Sequence, residues 1–77
     1  MAKAYVLINT DMGTEEEVLK DLKGIPYVTE AYMIYGVYDI IAKLEADSLE
    51  KVKDAVSSRI RRMDHVRSTL SMIVVES

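Results

Sequence analysis

Apolar residues recur along this chain at two different spacings. Residues 4–10, AYVLINT, form a β-branched, aromatic-rich run that predicts a strand. The period then changes: Val18, Leu19 and Leu22 make a helical stripe behind Glu15, Glu16 and Glu17. Thr14 with Glu17 three residues on has the form of a capping box, and the glutamates suit the positive end of a helix dipole. Gly24 followed by Pro26 predicts where that helix stops. Two more strand-like runs follow, over about 28–35 and 38–45. Asp47 and Glu50 repeat the capping spacing ahead of a longer stripe, Leu49, Val52, Ala55, Val56, Ile60 and Met63, about four helical turns long. A last strand is expected over about 66–76.

The order β-α-β-β-α-β predicts an α+β domain of the ferredoxin-like, split βαβ kind, a four-stranded antiparallel sheet with both helices on one face. Its two halves rhyme, since GIPYVTEA and RMDHVRST each lead from a helix into a strand, with Val28 and Val66 in matching places. Unbroken alternation sets Tyr38, Ile40, Ala42 and Leu44 on one face of the third strand, and Asp39, Ile41, Lys43 and Glu45 on the other. In the fourth it sets Val66, Ser68, Leu70, Met72 and Val74 against Arg67, Thr69, Ser71, Ile73 and Val75. The cleaner apolar sets are expected under the helices. The other face then mixes Ile41, Ile73 and Val75 with polar groups, a surface expected to be covered by another subunit.

Length adds a reason for that cover. The 77 residues make one small unit, 1–77, whose burial barely offsets its chain entropy. There is no cysteine and only one histidine, so neither a disulfide nor a Cys/His zinc site can supply the difference. Association is the remaining means, and a 49% hydrophobic content with five tyrosines has the surface for it. A net charge of −3 argues against direct nucleic-acid binding. No run is long enough to span a membrane and no cleavable leader is visible, so a cytoplasmic protein is expected.

Candidate chemistry is sparse. Gly36-Val37 between the second and third strands has the form of a two-residue type II′ hairpin turn. That turn does not require Asp39. The carboxylate is either a solvated group, one paired with Lys43, or one held to accept a charge-assisted hydrogen bond from an ammonium. Tyr38 could add an aromatic wall, although alternation sets it toward the core. Thr69 and Ser71 lie two apart and, by the assignment above, on the face that carries Asp39. The cations Arg59, Arg61, Arg62 and Arg67 with His65 suit the end of the second helix. DMGT, ahead of the first helix, could cradle an anion were it not followed by three glutamates. No phosphate loop, acid–base pair or nucleophile is visible, so no catalysis, metal or cofactor is expected.

YGVYDIIAKL and the closing VRSTLSMIVV, in this order of elements, resemble the effector-binding domain of the Lrp/AsnC family, called RAM for regulation of amino acid metabolism. The resemblance spans nearly the whole chain and implies a homodimer with facing sheets, as in dimeric α/β barrels, assembled further into rings. It also implies a small amino acid bound at dimer–dimer contacts. Its carboxylate would meet the backbone at Gly36, Val37 and Tyr38, its ammonium would approach Asp39, and Thr69 and Ser71 would add polar contacts. Family members usually carry a helix-turn-helix domain ahead of this one. This sequence begins at the first strand, so a stand-alone form is expected, with DNA-binding relatives as possible partners. A small dimeric enzyme of the same fold, or a purely structural assembly domain, are the alternatives.

Overall fold

The computed structural model describes residues 1–75. The elements are β1 (Ala2–Thr10), α1 (Glu15–Lys23), β2 (Val28–Met33), β3 (Ile40–Ala46), α2 (Leu49–Asp54) and β4 (Val66–Ile73). A π-helical segment, Ala55–Ile60, continues α2. The sheet is antiparallel throughout in the order β2-β3-β1-β4, so β3 and β4 are separated by β1, as the ferredoxin-like order requires. The expected fourth strand stops at Ile73, and residue 76 lies outside the described residues.

Both helices pack on one side of this sheet. Ala4, Val6 and Ile8 of β1 alternate into the core with Ile40, Ala42 and Leu44 of β3, and Val18, Leu22, Val52, Val56 and Ile60 close over them. Neither predicted capping box forms. Thr14 makes no side-chain cap; its hydroxyl donates to the Asp11 carbonyl instead, and Glu15 accepts from the Gly13 N–H. The cap of α2 is Ser48, which accepts from the Lys51 N–H at 3.3 Å, while Asp47 pairs with Lys51 at 2.8 Å. The four-turn stripe is read correctly as helical, but its second half widens, with the Arg61 N–H donating to the Val56 carbonyl at 2.9 Å.

The sequence rhyme has a structural counterpart. Tyr27 and His65, each one residue before its strand, sit at φ of 75° and 72°. Just upstream the Ile25 N–H donates to Leu22, and the Met63 N–H to Ile60, by the same pattern. Each following strand then opens with a register shift: Val28 pairs with Leu44 and Glu30 with Lys43, while Val66 pairs with Thr10 and Ser68 with Asn9. Thr29 and Arg67 are the extra residues of these two bulges.

The second bulge overturns the expected faces of β4. One inserted residue reverses the alternation beyond it. Thr69, Ser71 and Ile73 pair with Ile8, Val6 and Ala4 on the helix side, and Leu70 and Met72 pair with Leu7 and Tyr5 on the open side. Ile41 is on the open side as expected, whereas Ile73 is not. The open side is thereby more apolar than the sequence reading gave it. Tyr5, Leu7, Tyr32, Ile41, Leu70 and Met72 form it, Leu70 and Met72 being 46% and 42% exposed. Lys43 crosses it, paired with Glu45 at 3.1 Å and Glu30 at 3.5 Å, and not with Asp39. The Tyr32 hydroxyl donates to Glu30 at 2.7 Å and holds that carboxyl below its ordinary range.

Leu22 and Ile60 occupy matching, fully buried places at the two helix ends. Truncating either to alanine is expected to cost about 2–5 kcal/mol in urea unfolding, whereas Val37→Ala at the exposed hairpin tip should stay within about 0.5 kcal/mol.

Candidate functional site

The hairpin between β2 and β3 is wider than a two-residue turn. The Ile34 N–H donates to the Asp39 carbonyl at 2.9 Å, so four residues, Tyr35 to Tyr38, form the loop. Gly36 sits in it at φ 140°, a conformation that suits glycine, with open space where a Cβ would stand. Val37 is 85% exposed, and Tyr38 is half-buried but outside the core on which alternation had set it.

Asp39 is fixed on several sides. Its N–H donates to the Ile8 carbonyl at 3.0 Å, tying the start of β3 to the end of β1. Its Oδ2 accepts from the Thr10 N–H at 2.8 Å and stands 3.4 Å from the Thr10 hydroxyl. Thr10 is only 5% exposed, and the last β1–β3 backbone pair is Ile8 with Ile40. The aspartate therefore satisfies a strand-end donor that β3 no longer reaches. The sequence reading offered water, Lys43 or an ammonium for this carboxylate and missed the Thr10 backbone.

Around Asp39 lies a polar cleft of about 380 Å³, lined by Asn9, Thr10, Asp39, Arg67 and Ser68. Asn9 Nδ2 donates to Ser68 Oγ at 3.3 Å across its base. Arg67 enters it as the bulge residue of β4. Asp39 and Arg67 share the cleft without an ion pair between them, so a negative and a positive group both remain available to a small molecule. Of these residues the sequence reading singled out only Asp39 for the site and assigned Arg67 to the helix end. The signal it passed over was the polar pair Asn9-Thr10 closing an otherwise apolar strand.

Thr69 and Ser71 are not in that cleft. The bulge turns them to the helix side, where Thr69 Oγ1 accepts from Arg61 Nε at 3.2 Å. Ser71 lines a separate cavity beside α2, with Val52, Val56 and Ile73. The expected grouping of Asp39, Thr69 and Ser71 on one face thus does not occur within a chain. Among the described residues no cluster of histidine, cysteine or carboxylate groups could hold a metal ion, and no helix is long and apolar enough to cross a membrane.

Known proteins match this fold over nearly its full extent. An HTH-type transcriptional regulator of Pyrococcus furiosus is 33% identical over 73 residues, which cover 91% of this chain and 49% of that one. The chain therefore spans about half the length of the curated relatives it matches. The crystal structure of a hypothetical protein from Pyrococcus horikoshii superposes with a TM-score of 0.91 at 38% identity, covering 100% of this chain and 93% of the other. Escherichia coli AsnC superposes with a TM-score of 0.90 at 25% identity, over 99% of this chain and 52% of AsnC. The family model described as the Lrp/AsnC ligand binding domain matches residues 3–77, and the chain belongs to that family.

Proposed function

We propose that residues 1–77 act as one effector-binding unit for a small amino acid, turning ligand concentration into a change of assembly. The observation that carries this reading is the cleft in which Asp39 and Arg67 stand unpaired with each other in a ligand-binding domain of a regulator family. A zwitterion needs one group of each sign at short range. The ammonium approaches Asp39 at the carboxylate oxygen that Thr10 does not use, and the carboxylate meets Arg67. Backbone N–H groups at Gly36, Val37 and Tyr38, exposed on the hairpin, and the hydroxyl of Thr69 serve the ligand from a neighbouring copy. The hydroxyl of Ser71, two residues on from Thr69 and without a hydrogen-bond partner among the described residues, adds a second polar contact from that copy.

The assembly in this reading is a homodimer through the open sheet face, built further into rings. Tyr5, Leu7, Tyr32, Ile41, Leu70 and Met72 supply an apolar centre, and the Glu30–Lys43–Glu45 ion pairs a polar border. Ligand stabilises whichever assembly holds it more tightly, by its differential affinity. The output is altered association with DNA-binding relatives in the cytoplasm. The unit itself neither contacts nucleic acid nor catalyses a reaction.

Two measurements test this reading. Calorimetric titration with the twenty amino acids should find at least one that binds, and Asp39→Asn and Arg67→Gln should each weaken it by about tenfold or more. Asparagine retains an acceptor for the Thr10 N–H, so a loss in Asp39→Asn reports the charge and not the fold. Unchanged affinity in both variants would refute the site. Light scattering at micromolar concentration should give at least a dimeric mass for the native chain and a smaller one for Leu70→Asp. A native monomer would refute the interface.

A further inference from the structure

The open face carries its charges in a definite order, and they restrict how a second copy can lie on it. Four rows of side chains cross the strands. At one end Lys3 of β1 stands beside Glu45 of β3. The next row is Glu30, Lys43, Tyr5 and Met72, and the one after it Tyr32, Ile41, Leu7 and Leu70. The far end is the polar cleft, with Asp39, Asn9 and Ser68.

The two charges of the first row are incompletely matched within the chain. Glu45 Oε1 meets Lys43 at 3.1 Å, which leaves Oε2 for a second cation. Lys3 is its neighbour across the β1–β3 register, yet among the described residues no carboxylate lies within ion-pair distance of Lys3. Both residues are already half-buried. A covering sheet takes more of their water away, so an unmatched charge at this row is costly and a matched one is not.

Sheets that pack face to face keep their strands nearly aligned, and two like copies are related by a two-fold axis. An axis through the middle of the face covers all four strands, and it can run across them or along them. Across the strands it inverts the rows. Glu45 then lies against the partner's Asp39, carboxylate on carboxylate, and Lys43 against the partner's Ile41. Along the strands it keeps the rows and exchanges β1 with β3 and β2 with β4. Lys3 then meets the partner's Glu45, and Lys43 meets the ring of the partner's Tyr5, a favourable place for an ammonium. Leu7 lies on the partner's Ile41, and Leu70 on the partner's Tyr32. We propose, on the homodimer reading above, that the open face accepts a second copy in this one alignment, with reciprocal Lys3–Glu45 ion pairs closing one end. The same alignment sets the two Asp39 clefts together at the other end.

The test exchanges the two charges. By sedimentation, Lys3→Glu and Glu45→Lys should each weaken self-association by about tenfold or more, because like charges then meet at both symmetry-related contacts. Mixed in equal amounts, the two variants should re-form a dimer containing one of each, since both contacts are again of opposite sign. Mixing cannot relieve a repulsion inside one chain, and both variants stay net acidic, so recovery reports the contact between copies. The native chain gives a second readout that needs no variant to fold. Carbodiimide coupling of isotopically light and heavy copies should join Lys3 of one to Glu45 of the other. A native dimer whose mixed variants stay apart, or whose light–heavy coupling joins Lys43 to Asp39 instead, would overturn this alignment and leave the homodimer standing. A native monomer would overturn both.

Discussion

Strand parity is the constraint on which the rest of this structure depends. With helices on one side of the sheet only, a residue's place in the alternation decides whether it joins the core or the open face. In β2 and β4 that place is set at the first residues. Tyr27 and His65 take the left-handed conformation, which costs a residue with a side chain about 1–2 kcal/mol. Each uses its carbonyl to tie down a neighbouring segment: Tyr27 accepts from the Glu45 N–H at 2.9 Å, and His65 from the Asp11 N–H at 2.8 Å. The His65 ring also stands 3.3 Å from Asp11 and 3.1 Å from Glu17. The bulges at Thr29 and Arg67 follow directly, and they aim every side chain beyond them.

This explains which parts of the fold were legible in the sequence. Helical stripes such as Val18, Leu22, Val52, Val56 and Ile60 are long-period patterns tied to one core, and they survive local irregularity. Element order and the separation of β3 from β4 follow from them. A period-2 pattern has no such tolerance. The apolar row Leu70 and Met72 looked like core because the reading carried the alternation unbroken from Val66, and one extra residue at Arg67 cancelled it. Apolar character could not correct the error, since both sides of this sheet are apolar. The hairpin failed for a related reason. Gly36-Val37 suits a tight turn, but the bond between Ile34 and Asp39 closes the loop further out. The helix caps failed at short range, where Thr14 found the Asp11 carbonyl and Ser48 displaced Asp47.

Of the candidate site, Asp39 was legible as an anomaly, an aspartate opening a β-branched run, but its surroundings were not. Its partners Thr10, Asn9, Arg67 and Ser68 come from two other strands and meet it only through the register of β1 with β4. Asp39 also has a structural duty that sequence reasoning did not find. One carboxylate oxygen completes the hydrogen bonding of Thr10, a residue almost wholly out of water. That duty holds the carboxylate in place, so the ligand proposed for its other oxygen would meet a group already partly ordered.

The open face and the Asp39 cleft are one surface with a gradient of polarity along it. Reading across the β1–β4 pairs, Tyr5 faces Met72, Leu7 faces Leu70, and Asn9 faces Ser68. The first two pairs are the apolar centre of the proposed dimer contact, and the third is the base of the polar cleft. In the proposed assembly a partner lying over the apolar pairs ends beside the polar one, so effector and partner would act on adjoining rows of the same two strands. In the proposed assembly the ligand then needs no relay through the core. Occupying the last row alters the edge of the contact directly, and the difference in affinity between assembled and separate chains is what couples concentration to association.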